Sequence, residues 1–153
     1  MTKVDERAGV PRIDAAARER LGAALDRDRT VAGMLFGSQA SGVAGPLSDV
    51  DVAVWADPEL SVEQRGALRT ELSLAAREIL ATDEVDVVVL NDAPPLLRHR
   101  ALKGGLRLFD RDPRARVRLE TAALLDYLDT VPLRETLAAG RRRRMDEGRF
   151  GRR

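Results

Sequence analysis

The stretch "FGSQASGVAGPLSDVDVAV" (residues 36–54) decides how this chain reads. It sets a Gly-Ser pair, Gly37-Ser38, at the end of one apolar run and two aspartates, Asp49 and Asp51, at the start of the next. Strand interiors disfavour Asp, and burying an ionised carboxylate is costly unless something positive compensates. Yet the flanking runs, "TVAGMLFG" (30–37) and "DVDVAVWA" (49–56), have the apolar, Val-rich character of buried strands. A side-chain period of two puts Asp49 and Asp51 on one face of their strand.

A third carboxylate comes from "EVDVVVLN" (84–91), read as another strand. If it pairs beside the second, Asp86 projects onto the same face, with Asp83 and Glu84 as neighbouring alternatives. Three carboxylates at strand starts repel one another unless a divalent cation lies between them. Oxygen-only donors, without His or Cys, favour Mg²⁺ or Mn²⁺ over zinc. Magnesium bound by few carboxylates takes waters and phosphate oxygens as its other ligands, which points to a nucleotide. Gly37-Ser38 supplies the complementary half. A glycine at a strand end, turning into a short helical stretch, exposes N–H groups to phosphate oxygens, and the Ser38 hydroxyl adds a donor. The patterns GxxxxGK[ST] and GxGxxG are absent, so this is a different phosphate site. The plain alternatives are an ordinary turn at 37–38 and turn or cap carboxylates at 49 and 51.

Outward from this stretch, "PRIDAAARERLGAALDRD" predicts an amphipathic helix over 12–27. Ser61 and Gln64 form a capping box that starts a helix running to about Ala81. Asp92 and Pro94-Pro95 open another, stopped near Gly104 by "KGG". "LRLFD" (106–110) reads as a short fourth strand. Pro113 begins a long helix, and Pro132 breaks or kinks it before a second segment from Leu133 to about Met145. The fold class expected is α/β (α+β): a small mixed sheet flanked by helices, with a helical C-terminal extension. The domain expected spans 1–140, with its motif region at 30–110 and C-terminal helices at 112–145. Residues 141–153 read as a basic, flexible tail.

The chain has 153 residues, 44% of them apolar and 33% charged, which suits one domain with a real core. It contains no cysteine, which removes disulfides, thiol catalysis and cysteine-ligated zinc. No apolar run reaches the length of a membrane span, and the N-terminus shows no secretory signal. The expected setting is the cytoplasm. The net charge of +1 hides an asymmetry. Residues 141–153 hold seven Arg against Asp146 and Glu147, a local +5, so residues 1–140 carry −4. Such a tail suits a polyanion or an acidic partner surface, or is simply solvated.

The motif Gly37-Ser38, ten residues (Gln39 to Ser48), Asp49-Val50-Asp51 and a later Asp86 resembles that of the DNA polymerase β nucleotidyltransferase superfamily. Chain size and "VDVVVLNDAPPLLRHRALKGGLRLFDRD" (85–112) further resemble the minimal nucleotidyltransferases, or MNT proteins, many of them antitoxins paired with a HEPN ribonuclease toxin. The resemblance spans roughly residues 30–130. It implies a polymerase β-like fold and metal-dependent transfer of AMP from ATP to a tyrosine of the cognate HEPN toxin, which neutralises it. It further implies that Asp49, Asp51 and Asp86 hold the metal and carry catalysis, and that Gly37, Ser38 and Ser48 bind the nucleotide. One departure is Ser41, which stands where the family often has Arg. Two other readings stay open: an antitoxin acting by occlusion alone, and a transferase acting on a small molecule such as an aminoglycoside.

Elsewhere, His99 reads as a solvated helix residue, Tyr127 as a packing residue and Trp55 as core. Arg98 and Arg100 are not assigned to phosphate. Exposed Leu side chains on the C-terminal helices would mark a docking surface.

Overall fold

The computed structural model describes residues 12–42 and 49–148. Eleven elements follow one another. Helix α1 (Ala15–Leu25) leads into strand β1 (Thr30–Phe36), the short helix α2 (Ser38–Ser41) and strand β2 (Val50–Ala56). Helix α3 (Val62–Leu80), strand β3 (Val85–Val89) and a 3-10 turn (Leu90–Asp92) come next, then helix α4 (Pro95–Gly104) and strand β4 (Leu106–Asp110). Helices α5 (Pro113–Asp129) and α6 (Val131–Asp146) complete the chain.

The four strands form one mixed sheet in the order β3-β2-β1-β4. Strand β1 pairs antiparallel with β2 and β4, whereas β2 and β3 are parallel. Parallel neighbours need a crossover, and α3 supplies it. Alternation along β2 divides its side chains between two cores. Val50, Val52 and Val54 meet Leu21 and Leu25 of α1 and Leu68 and Leu72 of α3. Ala53 and Trp55 lie on the opposite face with Met34, Phe36 and Ala101 of α4. Asp51 shares that second face by the same alternation.

Helix starts follow local chemistry. Asp14 caps α1 by accepting from Ala17 N at 2.7 Å. Ser61 and Gln64 close the expected capping box on α3. Proline opens α4 and α5, where its missing N–H is no loss. Two expectations change. The third strand stops at Val89 rather than Asn91, because Asn91 turns its amide onto the backbone of Ala56, accepting from N at 2.8 Å and donating to O at 3.0 Å. The expected basic tail begins inside a helix, since Arg141–Arg144 lie within α6; residues 149–153 fall outside the described residues.

The C-terminal helices leave much apolar surface open. Helix α6 buries none of its residues, and Leu124, Leu125 and Leu128 of α5 are exposed together with Leu133 and Leu137 of α6. Among the described residues no helix is long and apolar enough to cross a membrane.

Candidate active site

At one end of the sheet three strands line up in register. Phe36 of β1 sits opposite Asp51 of β2, and Asp51 opposite Asp86 of β3. Paired residues in a parallel ladder point to the same face, so Asp51 and Asp86 share the side covered by α4. Asp49 stands exposed one residue ahead of β2, where the first ladder bond runs from Val50 N to Glu84 O at 2.9 Å. Asp83 and Glu84 precede β3. Of the three candidates on that segment, Asp86 is the one in register with Asp51.

Gly37 follows Phe36 directly and turns the chain into α2 with φ +71° and ψ −152°, a conformation that is essentially glycine's alone. A Cβ at this position would overlap Asp51 Oδ2. The bend and the carboxylate are therefore in direct apposition. Gly37 O accepts from Ala40 N and Ser41 N, both at 3.2 Å, which closes the single turn of α2. The first N–H groups of a helix have no intrahelical partner, and here they belong to Ser38 and Gln39. Ser41 Oγ donates to Ser38 O at 3.2 Å. Buried Gln39 accepts from Ile13 N at 3.3 Å and ties α2 to the segment before α1. Ser48 lies outside the described residues.

Asp51 is only partly exposed, and its carboxyl is held above the ordinary 3.8. Burial is the main cause, followed by the negative charges of Asp86 and Asp49; Arg100 opposes them. Both neighbouring carboxylates thus act on Asp51, as an acidic site awaiting a cation would require. Asp86 Oδ1 meets Arg69 Nη2 of α3 at 3.5 Å, and Arg69 Nε donates to Val87 O at 2.8 Å. Among the described residues no three carboxylate or imidazole groups are drawn together closely enough to hold a metal ion. The carboxylates are neighbours, not a finished cage. That suits a hard cation such as Mg²⁺, held by one or two carboxylates with the rest of its shell from phosphates and water.

Sequence reasoning left Arg100 unassigned, and only the packing of α4 over the sheet reveals its reach to Asp51. It also took His99 for a solvated residue. His99 instead stacks on Tyr127 of α5, with ring centroids 3.6 Å apart and planes 7° from parallel. Arg134 of α6 also lies over the Tyr127 ring, 4.2 Å from its centroid. Tyr127 packs, as expected, and is the joint between α4, α5 and α6. Arg98 is used structurally: it donates to Leu90 O, Asn91 O and Asp126.

Residues 21–114 match the family model described as polymerase beta, nucleotidyltransferase, and the chain belongs to that family. Solved structures show the same fold in toxin–antitoxin assemblies. A chain of a toxin–antitoxin complex with AMP-PNP is 23% identical, with 85% of this chain and 96% of that one covered at a TM-score of 0.52. A chain from the tri-AMPylated Shewanella oneidensis HEPN toxin in complex with MNT antitoxin is 22% identical, covering 86% and 95% at 0.51. A chain of the MntA–HepT toxin–antitoxin is 22% identical, covering 88% and 97% at 0.51. Comparison with curated proteins gives no match.

Proposed function

We propose that this chain is a metal-dependent nucleotidyltransferase antitoxin that moves AMP from ATP to a tyrosine hydroxyl of a HEPN ribonuclease toxin. The observation that carries the reading is the apposition of Asp51, in register with Asp86, to the Gly37 bend. A polymerase β-family fold with an acidic strand end and a glycine turn has the parts that nucleotidyl transfer needs. The similar assemblies, one with AMP-PNP and one with an AMPylated HEPN toxin, favour ATP as donor and a toxin as acceptor. Exposed apolar side chains on α5 and α6 favour a protein partner over a small acceptor.

In the reaction the acceptor's hydroxyl oxygen bonds to the α-phosphorus of ATP. The bond from that phosphorus to the oxygen bridging to the β-phosphate breaks, and pyrophosphate leaves with the electron pair. Asp86 is placed to take the hydroxyl proton. Asp49 and Asp51 would hold the metal, with Asp86 joining them once Arg69 releases it. A bound magnesium ion supplies charge neutralisation at the phosphates. Gly37 and Ser38 would offer backbone and hydroxyl donors to the triphosphate, and Ser48 is assigned to the same role. Preorganised donors of this kind stabilise charge as it develops.

The same α5–α6 surface would also serve an antitoxin that acts by occlusion alone. One experiment separates the two. The co-purifying partner is incubated with ATP and Mg²⁺ and its intact mass measured. Gain of AMP units, lost with Asp49→Ala plus Asp51→Ala, supports transfer. A double variant that neutralises the toxin fully, with no adduct from either protein, favours occlusion.

A further inference from the structure

We infer that Arg100 is the residue on this chain that meets the triphosphate of the bound nucleotide, beside Asp51 and on the face of the sheet covered by α4. The inference rests on the transferase reading and adds to it the source of positive charge that the site otherwise lacks. Residues 30–64, which include β1, the Gly37 bend, α2 and β2, contain no Lys, Arg or His. A nucleoside triphosphate seated there brings several negative charges to a place that already holds three carboxylates. One divalent ion does not balance both. The remaining cation must come from an element packed over the site.

Helix α4 is that element. Its Ala101 is fully buried in the core that also contains Phe36 and Ala53, the neighbours of the bend and of Asp51. Four basic side chains lie along it. Arg98 is committed to Leu90 O, Asn91 O and Asp126. His99 is stacked on Tyr127. Lys103, near the end of the helix, lines a separate cavity of about 310 Å³ with Met34, Arg107 and Glu120. Arg100 is exposed, and among the described residues it makes no hydrogen bond or ion pair. Its field nevertheless acts on Asp51.

The other arginine near the acidic groups is Arg69, which already faces Asp86 and is anchored to Val87 O from the β3 edge. Arg12 lies beside Gly42, at the far end of α2 from the bend. Arg100 is thus unengaged, on the correct face and within electrostatic reach. A guanidinium in that position binds phosphate oxygens through two parallel N–H donors.

The test is calorimetric titration of the full-length chain, with Mg²⁺, using α,β-methylene-ATP and separately AMP. Arg100→Ala should weaken the triphosphate analogue on the order of 10- to 100-fold, the usual worth of a charge-assisted contact, and leave AMP little changed. Arg100→Lys should recover part of the loss. Arg118→Ala, an exposed α5 residue that lines the groove at the other end of the sheet with Thr30 and Asp57, should match the wild type. Equal binding of the analogue by Arg100→Ala and wild type overturns the inference and leaves the transferase reading standing. A wild type that binds neither nucleotide overturns both.

Discussion

Replacing Gly37 with Ala tests whether the bend and the acidic pair form one unit. The backbone at φ +71° and ψ −152° costs a residue with a side chain about 1–3 kcal/mol. The new methyl also overlaps Asp51 Oδ2, and forcing a packed neighbour aside typically adds about 1–3 kcal/mol. Asp51 is partly exposed and has room to swing, which puts the sum in its lower half, about 2–4 kcal/mol. Urea unfolding followed by the fluorescence of buried Trp55 measures it directly. For a chain of this size each kcal/mol lowers the thermal midpoint by about 2–4 °C. Function should suffer more, since displacing a reacting group by about 1 Å costs on the order of 100-fold in rate. Gly66→Ala is the matched control. Gly66 lies in exposed α3 with nothing within 4 Å of an added Cβ, so Ala there should stabilise by about 0.5–1 kcal/mol. A Gly37→Ala chain that loses less than about 0.5 kcal/mol, the scatter of an ordinary surface change, and transfers AMP normally would refute the reasoning.

Asp51→Asn should raise the thermal midpoint of the nucleotide-free chain at pH 7 while abolishing transfer. The native carboxyl sits above its unfolded value of 3.8, so its charge opposes folding once pH rises through and beyond that raised value. The gain should vanish below pH 3.8, where the carboxyl is protonated in both states, and thermal melts across pH 3–8 check the sign. Chelation with EDTA should stop transfer without moving the melting midpoint of the nucleotide-free chain, because no finished metal cage supports the fold among the described residues. Arg98→Ala should destabilise by about 2–4 kcal/mol in urea, since it strands the carbonyls of Leu90 and Asn91. Its nucleotide affinity, measured where the chain is fully folded, should be unaffected.

Much of the fold could be read locally. Prolines 95, 113 and 132, the Ser61–Gln64 box and the Val-rich runs act within a few residues, and each element appears where that chemistry puts it. Asp86 as the partner of Asp51 needed only the assumption that β3 lies beside β2. Features that depend on distant contacts were out of reach. Asn91 ends its strand by binding Ala56, 35 residues earlier. His99 finds Tyr127 only after α4 and α5 pack together. Arg69 reaches Asp86 across the edge of the sheet. In sequence Arg100 stands between His99 and Ala101 with no mark of its role, and nothing local says that α4 crosses the acidic face. Seven arginines near the C-terminus suggested a loose tail, yet the run from Arg141 to Arg144 continues α6, because Arg is a strong helix former.

Label transfer is the most direct trial of the claim that the acidic strand ends and the Gly37 bend form a nucleotidyl-transfer centre. The chain and its toxin partner are incubated with Mg²⁺ and ATP carrying ³²P at either the α or the γ position. Radioactivity on the partner from α-labelled ATP alone, absent with Asp49→Ala plus Asp51→Ala, is the expected result. Label arriving from the γ position, or α-label that persists in the double variant, would contradict it.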